Sequence, residues 1–108
     1  MADAIEPLYA LVTEAIGRAQ WLPEGDARRA AYAHVADLEE RIAALAAAGT
    51  TDGDVARLGA VYAAMKAGAP GRARALALRY VEEPMGECDR EGLQALLIEL
   101  AASTRQDA

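Results

Sequence analysis

Alanine constrains this chain more than any other feature. Of its 58 apolar residues 28 are alanine, so only 30 of 108 positions carry a larger apolar side chain. Each buried CH2 stabilises a fold by about 0.8 kcal/mol, and a methyl group offers little to bury. The core must therefore be thin, and the elements around it must come close together. A chain of this length suits one small domain, since about 100 to 150 residues is the commonest domain size.

Apolar residues recur at intervals of three and four in five stretches separated by turn residues, and no stretch shows convincing strand-like alternation. Ala, Leu, Arg and Glu are good helix formers and β-branched residues are few, so propensity agrees with pattern. The fold expected is all-α, a single bundle of about five short helices over residues 6–20, 27–48, 52–67, 70–83 and 89–104.

Local chemistry supplies the boundaries. Pro7 suits the opening turn of the first helix, where its missing N–H is least costly, and Ile5, Tyr9, Val12, Ile16 and Ala19 line one face, widened by Leu8 and Ala15. Trp21 stands in the turn that follows, and Asp26 can cap the second helix. There the seam Ala31, Val35, Leu38, Ile42, Leu45 has the four-three spacing of shallow-angle packing, with Asp37 and Arg41 toward solvent. Gly49 is placed for a left-handed turn, and Thr51 with Asp54 resembles a capping box.

The third helix has Val55, Leu58, Tyr62 and Met65 on one side and Ala56, Gly59, Ala60, Ala63 and Ala67 around another. A bare Ala/Gly face lets a second helix approach closely, which makes this helix the candidate for the middle of the bundle. Pro70 opens the fourth helix, Pro84 and Gly86 close it, and Leu93, Leu96, Leu97 and Leu100 turn inward on the fifth.

Charge is divided along the chain. Residues 1–54 hold ten acids and four bases, residues 55–81 hold five bases and no acid, and residues 82–108 hold seven acids and two bases, for a net charge of −6. Such a balance argues against non-specific attraction to nucleic acid or anionic lipid, both of which select basic surfaces. No apolar run approaches the roughly 20 residues needed to span a bilayer, and the first residues lack the basic start of a secretory signal. A soluble, cytoplasmic protein is the expectation, and the lone Cys88 fits a reducing compartment.

Catalytic and metal chemistry find little support. One His and one Cys permit neither a disulfide within the chain nor a zinc site without mostly carboxylate ligands. His34 flanks the seam of the second helix with no companion base or nucleophile, and Cys88 has no second Cys. The pairs Glu39-Glu40 and Glu82-Glu83 diverge by about 100 degrees on a helix, so neither converges on one reacting atom. No enzymatic activity, cofactor or metal is expected.

Two binding readings follow. Leu78 projects roughly opposite the inward face Ala73, Leu76, Ala77, Tyr80; Val81 lies at that face's edge; Ile98 falls about 140 degrees from Leu93. With Trp21 they form candidate contacts for a protein partner or a homodimer, with Arg72 and Arg79 on a polar rim, unless both helices are buried on two sides. This reading makes the chain a non-catalytic protein–protein interaction module, a small acidic adaptor, regulator or stoichiometric inhibitor. The other reading is nucleic-acid or small-anion binding through the basic segment 55–81, with Arg72, Arg74 and Arg79 as contacts after Gly71. Those arginines do not form one stripe, and neutralising the acidic helices nearby accounts for them equally.

Overall fold

The computed structural model describes residues 2–47 and 49–107. It is an all-α bundle of five helices: α1 (Ala2–Trp21), α2 (Asp26–Leu45), α3 (Thr51–Lys66), α4 (Pro70–Val81) and α5 (Glu87–Asp107). Each helix packs chiefly on its neighbours in sequence, most extensively α2 on α3, and α3 also touches α5. The result is a flat body of 44 × 32 × 17 Å with α1 and α5 at its ends.

The alanine pattern explains this arrangement. In α3 the small-residue side is the more deeply packed: Ala56, Ala60, Ala63 and Ala64 are buried with Val61, whereas on the bulkier side Leu58 and Met65 are partly buried against the core and Val55 and Tyr62 are at least half exposed. Small side chains let α3 sit against α2 and α4 at once, as expected of the middle helix, and larger residues there would force the helices apart. Elsewhere the inward faces are those the spacing predicts. Leu8, Val12, Ala15 and Ala19 of α1, Val35, Leu38 and Ile42 of α2, Ala73, Leu76, Ala77 and Tyr80 of α4, and Leu93, Leu96 and Leu100 of α5 are all buried.

The ends depart from expectation in ways that local bonding explains. Helix α1 begins four residues early, so Pro7 lies inside it and removes one backbone bond from the opening turns. It also runs through Trp21, which is therefore a helical residue and not a turn residue. The N-cap of α2 is Gly25, at φ 148°, with no side-chain bond; Asp26 is already helical and pairs with Arg29. Helix α2 stops at Leu45 because the chain turns extended at Ala46, which leaves Leu45 at the end of the seam and 53% exposed. The expected end at residue 48 lies outside the described residues. Gly49 does adopt a left-handed conformation, at φ 81°. Thr50, one residue before the expected Thr51, caps α3 by accepting from the Gly53 N–H at 3.2 Å.

Candidate functional site

The basic middle of the chain is largely engaged within the chain. The guanidinium of Arg72, on α4, donates to Asp37 Oδ1 at 2.6 Å and to Glu40 Oε2, both on α2. Hydrogen bonding to Glu40 first, and to Asp37 next, raises the Arg72 pKa. Arg79, two turns on, lies 3.8 Å from Glu40 Oε1, covers the Tyr80 ring and donates to its hydroxyl at 3.1 Å. Glu40 thus holds two arginines from one face of α4, and Asp37 pairs across helices with Arg72.

Arg57 is more deeply engaged. It is 4% exposed, donates through Nε to Glu83 Oε1 at 2.8 Å and lies over the Tyr80 ring. Asp54, 3% exposed, accepts from the Gly86 N–H at 2.9 Å, while its Oδ1 stands 3.9 Å from Arg57 Nη1 and has no hydrogen bond among the described residues. Arg90 closes the same junction by donating to the carbonyls of Val81 and Glu83. The Asp89 carboxyl is raised, chiefly by its neighbour Asp54. This network ties the start of α3 to the α4–α5 connection. A sequence signal for it exists: Arg57 has Gly53 four residues before it and Ala60 and Ala64 three and seven after, a charge set among the smallest residues of its helix.

The residues read as partner contacts are dispersed. Ile98 is 72% exposed on α5 and Leu78 46% on α4, each on the outer side of its helix. Val81 is partly buried and packs against the core. Trp21, at the end of α1, is 90% exposed. Around Ile98 the outer side of α5 carries the exposed Gln94, Ala95 and Ala102, a surface that another helix could approach closely.

A second feature lies between α1 and α3. Tyr9, Val12 and Ile16 face Val55, Ala56 and Asp52 across a cavity of about 240 Å³ that Ile42 and Glu39 of α2 also line. The Glu39 carboxyl rests against Gly59, where a Cβ would collide with it. It has no ion-pair partner among the described residues, and burial pushes its pKa up to about 7. The Tyr9 hydroxyl is buried without a hydrogen bond, and its pKa is raised by burial and then by the charge of Asp52.

His34 and Cys88 are both exposed. Among the described residues no group of three or more His, Cys, Asp or Glu side chains is placed to hold a metal ion, and no helix is long and apolar enough to cross a membrane. The fold and these surfaces define a small all-α bundle with intramolecular ion pairs along one side and exposed apolar residues on others. The chain matches no protein-family model, no curated protein and no solved structure.

Proposed function

We propose that the protein is a non-catalytic protein-binding module, an adaptor, regulator or stoichiometric inhibitor, whose contact surface includes the outer side of α5. The observation that carries this reading is Ile98, a large aliphatic side chain 72% exposed on the terminal helix of the stack. Alanines 95 and 102 beside it let a partner's backbone come near, so an apolar helix fits there better than a polar loop. Glu91 and Glu99, also exposed on α5, favour a partner with basic residues flanking its apolar stripe. Leu78 is a second exposed apolar residue on the last two helices.

The rival reading, binding of nucleic acid or a small anion through Arg72, Arg74 and Arg79, loses support because Arg72 is held by Asp37 and Glu40 and Arg79 lies near Glu40. Freeing them would break those pairs.

The test is affinity capture from the native host with the wild-type chain and with Leu78→Asp/Ile98→Asp, each checked for helicity. A partner retained by the wild type at high salt and lost by the folded variant supports the reading, since a charge cannot enter an apolar contact without a counter-charge. Equal capture by the folded variant sinks it, as does a partner released by moderate salt, the behaviour of phosphate contacts.

A further inference from the structure

A different part of the molecule carries unpaired positive charge in a chain whose net charge is −6. The start of α2 and the end of α3 enclose a cavity of about 390 Å³ lined by Glu24, Gly25, Arg28, Arg29, Tyr32, Met65, Lys66 and Gly68. This volume is in the range of small-molecule sites, roughly 300 to 1,000 Å³. Its walls at Gly25 and Gly68 are bare backbone at φ 148° and 73°; no side chain stands over Gly25, and that of Arg29 lies close over Gly68.

Tyr32 is 3% exposed as a residue, and its hydroxyl makes no hydrogen bond among the described residues but keeps contact with solvent. Two cations lie close to its ring: Arg28 at 5.6 Å and Lys66 at 5.3 Å from the centroid. Neither meets a carboxylate within ion-pair distance among the described residues, unlike Arg29, which is held by Asp26. The same end of α2 has no side-chain cap, so its first amides also face outward.

We propose that this cavity binds a small phosphate monoester, its oxyanion between Arg28, Lys66 and the first amides of α2, and its organic group against Tyr32 and Met65. The ring supplies an apolar floor, and its hydroxyl is a donor for an ester or phosphoryl oxygen. A guanidinium and an ammonium on one oxyanion form charge-assisted bonds, the strong kind, and a helix N-terminus favours the same charge. Glu24 and the Asp26–Arg29 pair lie at the site, and counting all five groups leaves one net positive charge. That balance suits an anion of low charge rather than a polyanion such as nucleic acid. The site is independent of the Ile98 surface and of the arginines of α4.

The probe is phenyl phosphate, with phenol and inorganic phosphate as controls, titrated into the isotopically labelled chain and followed by amide chemical shifts. Saturable shifts of residues 25–32 and 65–68, larger for phenyl phosphate than for either control, are expected. Arg28→Gln/Lys66→Gln should weaken binding by about tenfold or more, the size of losing a charge-assisted contact, with the rest of the spectrum unchanged. Tyr32→Phe, which keeps the ring, should weaken it by a smaller factor. Absence of saturable shifts at up to about 10 mM probe, where a contact of about −3 kcal/mol would register, overturns the proposal. So does binding that survives in the folded double variant, and so do equal responses to phenol and phenyl phosphate.

Discussion

Arg57 Nε lies 2.8 Å from Glu83 Oε1, joining the middle of α3 to the α4–α5 connection through a guanidinium that is 4% exposed. The nearest other carboxylate oxygen paired with Arg57 is Asp54 Oδ1 at 3.9 Å, beyond hydrogen-bonding reach. Removing Glu83 therefore strands a buried positive charge. Glu83→Ala is expected to cost about 2–4 kcal/mol, whereas Glu82→Ala, at an exposed position, should stay within about 0.5 kcal/mol. Urea unfolding of both variants checks this, and equal midpoints would show that the pair contributes nothing.

Leu38, 3% exposed at the centre of the α2 seam, should be among the most sensitive core positions. Its replacement by Ala leaves a cavity between helices whose other contacts are largely methyl groups that cannot reach in to refill it. The expected loss is about 2–5 kcal/mol. A melting midpoint unchanged from wild type would place Leu38 outside the core.

Glu39 makes stability depend on pH with a sign opposite to that of a paired carboxylate. Its folded pKa of about 7 exceeds the ordinary 4.5, so the folded state holds the proton more tightly than the unfolded one. Stability from this group is fully present below about pH 4.5 and is lost as pH rises toward 7. The amount is on the order of 1–3 kcal/mol, the lower part favoured because the side chain keeps partial contact with water. Glu39→Gln should remove this fall and be the more stable protein at pH 8. Parallel denaturation curves for wild type and variant between pH 4.5 and 8 would disprove it.

Gly59→Ala tests the same contact from the other side. The added methyl group meets the carboxyl end of Glu39, a flexible group that can swing toward water, while Ala gains about 1 kcal/mol of helix propensity over Gly. A modest rise in melting temperature is expected, with the Glu39 pKa returning toward 4.5 by carbon-detected titration. A fall in melting temperature would mean that the carboxyl cannot move.

The periodicities of Ala73, Leu76, Ala77 and Tyr80 in α4 and of Leu93, Leu96 and Leu100 in α5 were enough to assign the helices and their inward sides, because each face belongs to one helix and repeats every turn. The left-handed Gly49 and the opening Pro70 were local in the same sense. The cap of α3 shifted from Thr51 to Thr50 because two neighbouring threonines compete for one hydrogen bond, whereas α2 starts at Asp26 itself and no side chain caps it.

Tertiary structure alone decided which side of α3 is packed, since both its bulky and its small side repeat at helical spacing and only the closeness of α2 and α4 favours the small one. It also decided the partners of the charges. Arg72 meets Glu40, Arg57 meets Glu83, and among the described residues Arg28 and Lys66 meet the ring of Tyr32 and no carboxylate. Side-chain periodicity is a property of one helix and can be read along the chain, whereas a charge pair or a cavity between helices depends on their relative position and on where each one stops. Those are set by packing among residues far apart in sequence.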